Sequence, residues 1–215
     1  IEAWAQRTDE LSRLAGVEQV FVFENRGEAI GVTLHHPHGQ IYAYPYVTPR
    51  TETVLRQAQA YQARTGGSLL RDVMEQERAQ AERVVLTGAH WIGYVPRAAR
   101  WPLEVHLVPL RDVPDLAALA AEERDELAVV YRDLLRRLDR YHPEVNRLPY
   151  IAAWHQAPLT DPRRPLARLY LQVFSLLRAP GRMKFLAGSE SAMGAFVNDV
   201  EPEQVAARLR EVAGG

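Results

Sequence analysis

The chain has 215 residues, enough for one large domain or two small ones, and at 47% hydrophobic and 25% charged it has the composition of a globular protein. Its formal net charge of −1 argues against a nucleic-acid or membrane-surface binder, no apolar run reaches membrane-spanning length, and a cytoplasmic setting is the default expectation. It contains no cysteine, which excludes disulfides, a thiolate nucleophile and cysteine-ligated metals within it.

Residues Ala3 to Leu14 read as an amphipathic helix with Trp4, Leu11 and Leu14 on its apolar side, and Val17 to Glu24 as a strand. Gln40 to Tyr46 alternates Ile41, Ala43 and Pro45 against Tyr42, Tyr44 and Tyr46, the pattern of a second strand. Thr51 to Arg64 and Ser68 to Gln80 are expected to be helices separated by Gly66-Gly67. A new unit is expected from about residue 82. Short strands are predicted at Arg83 to Leu86, Trp91 to Val95 and Glu104 to Val108, punctuated by Gly88, Pro96 and Pro102. A long helix lies within Leu116 to Tyr141. Strands follow at Tyr150 to Trp154 and Leu169 to Leu176, a short strand at Met183 to Ala187, and a closing helix at Pro202 to Val212. Short strands between turns, with a few helices, predict an α+β fold with a mostly antiparallel sheet. Trp91 and Trp101 are expected in the core.

The chemistry concentrates in His36-Pro37-His38-Gly39-Gln40. In an extended segment, side chains two apart share a face, so His36, His38 and Gln40 converge. Pro37 stiffens the segment, and Gly39 lets a bulky group approach the backbone. An imidazole near neutral pH serves as nucleophile, base or metal ligand. A carboxamide donates to a phosphoryl oxygen without adding charge. The set suits attack of a histidine on phosphorus.

Phe23-Glu24-Asn25-Arg26-Gly27, then Gly31-x-Thr33, then the His-Pro-His-Gly-Gln block resemble the active-site signature of galactose-1-phosphate uridylyltransferases, a branch of the histidine-triad superfamily. The resemblance implies a histidine-triad-like α+β fold of two related halves, with flanking helices and only the first half catalytic. Residues 1–81 would be the end of the first half and residues 82–215 the whole second half. A chain that begins at Ile1 is then expected to lack the upstream part of the first half.

The same resemblance assigns roles. His38 is expected to attack the α-phosphorus of UDP-glucose, giving a uridylyl-histidine that passes UMP to galactose 1-phosphate. Gln40 would hydrogen-bond a phosphoryl oxygen. His36 would orient His38 through its carbonyl and resemble a ligand of a structural zinc, whose other ligands are expected upstream of this chain. Glu24 and Asn25 would lie near uridine and phosphate, and Gly31 and Thr33 along the phosphates. Lys184-Phe185-x-x-Gly188-x-Glu190 is similar to the hexose-binding segment, which reaches the other subunit of a homodimer; Ser189 replaces a frequent aromatic there. Trp154-His155 resembles part of a second metal site, often iron. Tyr170-x-Gln172 stands where two histidines are expected, so iron is not expected and His155 reads as a packed histidine. His90, His106 and His142 have no partners at metal spacing.

The expected partners are UDP-glucose or UDP-galactose, hexose 1-phosphates and a second copy of the chain, with no nucleic acid and no membrane. Two other readings stay open: a related nucleotidyl transferase or phosphorylase acting on other nucleotide substrates, and a non-catalytic nucleotide-binding fragment.

Overall fold

A computed structural model of the chain describes residues 1–32 and 38–214. In order these form α1 (Glu2–Ser12), β1 (Gln19–Arg26), β2 (Gly39–Tyr44), α2 (Pro49–Thr65), α3 (Leu69–Gln80), β3 (Val84–Thr87), β4 (Trp91–Tyr94), β5 (Leu103–Pro109), α4 (Ala121–Arg140), β6 (Tyr150–His155), β7 (Tyr170–Ser175), β8 (Leu177–Ala179), β9 (Arg182–Met183), α5 (Gly188–Met193) and α6 (Pro202–Glu211).

Seven strands make one sheet in the order β2-β1-β6-β7-β5-β4-β3, and each neighbouring pair is antiparallel. The α+β class expected from the sequence is therefore present. Strands from both sides of residue 81 share this sheet, because β1 pairs with β6 from Val22↔Trp154 to Arg26↔Tyr150. The remaining strands, β8 and β9, form a separate hairpin.

Alternation along the strands splits the core into two layers. Leu103, Val105 and Leu107 of β5, Leu171 and Val173 of β7, and Tyr150, Ala152 and Trp154 of β6 face α4, α6 and α1. Helix α4 meets them with Leu127, Leu134 and Leu138 and with Tyr131, a stripe at three- and four-residue spacing. Glu122 and Glu123 in its first turn and Arg137 and Arg140 in its last suit the helix dipole. Trp91 is fully buried, and its indole N–H donates to the Glu123 carbonyl at 2.8 Å. Each fully buried large apolar side chain in this layer contributes about 1.5–3 kcal/mol.

The other face is partly helix-covered too. Met74 of α3 packs on Ile92, Tyr94 and Val108. Helix α3 lies over the β4–β5–β7 side of that face, and α2 reaches β6 and the start of β1, where the Gln19 carboxamide donates to Thr51 Oγ1 at 2.7 Å. At the β2 edge it is left to Phe21, Phe23, Tyr42 and Tyr44, which pack on one another.

Three expectations need correction. Met183 to Ala187 is not a strand: only Arg182–Met183 pairs, and α5 begins at Gly188. The strand expected to run to Tyr46 stops at Tyr44. Trp101 is not in the core: it is half-buried, stacked on Phe174 with ring centroids 4.9 Å apart.

Candidate functional site

The β1–β2 register builds the centre of the site. Phe23 lies opposite Gln40, Phe21 opposite Tyr42, and Glu24 opposite Gly39. Opposed residues of an antiparallel pair share a face, so Gln40, Phe23, Tyr42 and Phe21 form one patch, with Asn25 in step with Phe23. His38 is half-buried and precedes β2 by one residue, in step with Gln40. Gln40 is exposed, and its carboxamide oxygen accepts from the Tyr42 hydroxyl at 2.9 Å. That bond assigns the amide orientation and leaves the Gln40 NH2 turned to other acceptors.

Glu24 belongs to the opposite face. Its carboxylate accepts from the Tyr150 hydroxyl at 2.7 Å and the Tyr131 hydroxyl at 3.3 Å. Burial, with the negative charge of Glu24 adding to it, pushes both tyrosines well above the usual phenol range, so they remain donors. The structure thus brings Asn25 to the Gln40 face and takes Glu24 away from it. Gly31 caps the short 3-10 turn Glu28–Ile30 in the left-handed region, at φ 85°, where a glycine is favoured. Thr33 and His36 lie outside the described residues.

The segment singled out near the C-terminus folds on itself. Lys184 Nζ sits 2.8 Å from Glu190 Oε1 and donates to the carbonyls of Arg100, at 3.1 Å, and Val197. The Glu190 carboxylate also accepts the N–H of Ala187 at 2.9 Å and of Val197 at 3.3 Å. Lys184, and then the backbone donor of Ala187, hold the Glu190 carboxyl down at about 2. Phe185, by contrast, is 84% exposed, and Gly188 opens α5 with open space where a Cβ would stand.

A third cluster escaped the sequence reading. His155 is stacked on Tyr170, centroids 4.3 Å apart, and its Nε2 donates to Gln172 Oε1 at 3.1 Å. Gln172 in turn donates to Glu104 Oε1 at 2.6 Å, and His106 Nε2 lies 3.1 Å from the same oxygen. Burial, then the Arg50 charge, pushes His155 down to about 3, so it is neutral. Burial works to raise Glu104, but the bonds from His106, Arg100 N–H and Gln172 outweigh it and keep the carboxylate ionised. The signal was available in the strand period: Glu104, His106 and Gln172 all sit on the face opposite Leu103, Val105 and Leu171.

Among the described residues no group of three or more His, Asp or Glu side chains could hold a metal ion, and Tyr170 and Gln172 occupy the places beside His155.

The family model described as galactose-1-phosphate uridyl transferase, C-terminal domain, matches residues 54–214, and the corresponding N-terminal domain model matches residues 1–48. A galactose-1-phosphate uridylyltransferase of Streptomyces lividans is 48% identical over 99% of this chain and 62% of its own length. A solved structure described as a uridylyltransferase superposes with TM-score 0.90 at 32% identity, over 98% of this chain and 65% of that one. An ADP-glucose phosphorylase from Arabidopsis thaliana, with bound ADP-glucose, superposes with TM-score 0.84 at 25% identity, over 98% and 64%. The chain therefore spans less than two thirds of the length of each.

Proposed function

The chain belongs to the galactose-1-phosphate uridyl transferase family, and on that premise we propose that it supplies the nucleophilic strand of an enzyme exchanging UMP between UDP-glucose and galactose 1-phosphate. A lone pair on the His38 imidazole attacks the α-phosphorus. A P–N bond forms, the P–O bond to the β-phosphate breaks, and glucose 1-phosphate leaves with the electron pair. In the second half-reaction a phosphate oxygen of galactose 1-phosphate attacks the same phosphorus, and the P–N bond breaks. One site serves both halves because the two sugar phosphates are near-identical.

The observation that carries this reading is the Tyr42–Gln40 hydrogen bond beside His38. It leaves the Gln40 NH2 as a donor for the charge that develops on a non-bridging oxygen, at no cost in reorganisation. Asn25, on the same face, is a second neutral donor. Glu24 is proposed to act at one remove, fixing the end of β1 from behind through Tyr131 and Tyr150.

Lys184 and Glu190 are proposed to bind the hexose phosphate across a homodimer. Phe185, Leu186, Met193 and Val197 are all exposed apolar side chains within residues 185–197, and a second copy would cover them. The zinc is proposed only as a structural ion held by His36 with ligands not in this sequence, and no step above runs through it. An iron centre at His155 is not proposed, since the Tyr170 stack and the Gln172 bond occupy that imidazole. A cytoplasmic setting suits substrates too charged to cross a membrane.

A second reading is transfer from another nucleotide sugar, favoured by the likeness to the ADP-glucose phosphorylase. One experiment separates these. Incubation with UDP-glucose labelled at the α-phosphate should give acid-labile, base-stable label on His38, mapped by mass spectrometry, and none in His38→Gly. Label from ADP-glucose alone favours the second reading. Label on another residue, or turnover by His38→Gly, sinks the mechanism. No label from either nucleotide favours a non-catalytic nucleotide-binding fragment.

A further inference from the structure

Towards the far end of the sheet from β2, on the face that carries Gln40, a cavity of about 300 Å³ lies between α3 and strands β4, β5 and β7. Tyr94, His106, Val108 and Tyr170 form its floor, and Leu70 and Val73 of α3 its roof. The strand period puts these four floor positions on the face that α2 and α3 cover.

Tyr94 is the informative residue. It is only 4% exposed, and its hydroxyl has no hydrogen-bond partner among the described residues. Yet it is not among the polar atoms sealed from solvent space, and it lines the cavity. Buried polar groups ordinarily find partners, so a donor without an acceptor facing an empty volume points to something that comes from outside. Burial raises this phenol far above its usual range, which keeps it a donor at any ordinary pH.

Arginines outnumber acids in the lining of the cavity. Arg83, Arg97 and Arg168 line it against a single acid, Glu77. Glu77, at 2.8 Å, and Glu203, at 2.6 Å, neutralise Arg83. Arg168 is buried with its Nε unpartnered, and its Nη1 lies 3.0 Å from Asp112. Burial lowers Arg168 to about 10, so it stays charged near neutrality. Arg97 is exposed at the mouth. The remaining lining is mostly apolar. Water would satisfy one hydroxyl but not fill an apolar volume of this size. A phosphate dianion would be stripped of water against apolar walls with too few donors to replace it.

We propose that this cavity binds a small carboxylate with a compact apolar body, such as an aryl or branched alkyl acid. The body lies between α3 and the Tyr94–Tyr170 floor. The carboxylate accepts from the Tyr94 hydroxyl, in the field of Arg97 and Arg168. The site is separate from the His38 chemistry and independent of it.

The test uses phenylacetate as probe and phenylacetamide, its neutral isostere, as control, with calorimetry and saturation-transfer NMR on the whole protein. Phenylacetate should saturate, and phenylacetamide should bind at least about tenfold more weakly. Tyr94→Phe should weaken phenylacetate by about tenfold. Val73→Trp, which fills the roof from an exposed helix position, should abolish binding with an unchanged thermal midpoint. The proposal is overturned if phenylacetate fails to saturate at a concentration on the order of 10 mM, if the amide binds equally, or if Val73→Trp leaves binding intact. It is also overturned if phenylacetate does not bind and Val73→Trp breaks a dimer seen by light scattering, since the cavity would then seat a second copy. Should Val73→Trp fail to fold, the contrast between acid and amide in the unmodified protein decides alone.

Discussion

A side chain's period along a strand decides which chemistry it joins. Asn25 and Gln40 fall on one face and Glu24 on the other, although Glu24 and Asn25 are neighbours in sequence. Period two makes the Gln40 row legible from the sequence. It does not reveal what waits behind β1: the tyrosines that hold Glu24 come from positions 107 and 126 residues away. His155 has the same history. Its spacing to Tyr170 and Gln172 marks a place where metal ligands are lacking, but the chain from Gln172 to Glu104 to His106 is a tertiary fact. It carries a pH signature. His155 is held at about 3 in the folded chain against 6.5 when free, so below about pH 6.5 the unfolded state takes up a proton that the folded state refuses. Stability should therefore fall as pH drops from 6.5 towards about 3, by at most about 1.4 kcal/mol per pH unit from this group. Denaturant midpoints across that range should show His155→Gln with a shallower slope than the parent. Equal slopes would mean that His155 titrates normally.

Elements whose neighbours are local were readable, and those set by distant contacts were not. The strand expected at Glu104 to Val108 spans Leu103–Pro109, and the helices at Thr51 and Ser68 appear within a few residues of their expected ends. Pro45 has no N–H to continue the ladder, which ends β2 at Tyr44. Met183 to Ala187 looked like a strand because it is short and apolar. It folds otherwise because Lys184 is drawn to Glu190 and Glu190 caps the turn at Ala187. The end of β1 depends on one glycine. Gly27 has φ 109°, and a Cβ there would stand 2.7 Å from Pro149 Cβ and 3.0 Å from its Cα. Gly27→Ala should cost roughly 2–3 kcal/mol through backbone strain and this clash, lowering the thermal midpoint by about 5–10 °C. It should also lower turnover, because β1 carries Asn25. A midpoint within about 1 °C of the parent would show that the loop simply shifts aside.

The order of the whole sheet could not be read along the chain. β1 lies between β2, its neighbour in sequence, and β6, which begins more than a hundred residues later. Such pairings are fixed by the fit of complete layers: α4, α6 and α1 on one face, α2 and α3 on part of the other. The consequence is a sheet whose edge strand β2 has the exposed Tyr42 within it, between His38 before the strand and the exposed Tyr46 after it.

A further exposed apolar surface is at residues 185–197, and it supports the proposed homodimer. Phe185 is 84% exposed, Met193 80% and Val197 64%, while the side chains of the paired Lys184 and Glu190 are largely covered. The segment is therefore held from beneath by its charged pair and presents its hydrophobic residues outward, an arrangement costly for a lone chain. Light scattering at micromolar concentration should give a dimeric mass. Phe185→Ser combined with Met193→Ser should give a monomer. Because both side chains point to solvent, the substitutions should move the thermal midpoint of the monomer little. The Lys184–Glu190 pair should survive, so turnover should fall through loss of the shared site and recover partly at high protein concentration. A monomeric parent, or a variant that remains dimeric, would place the interface elsewhere.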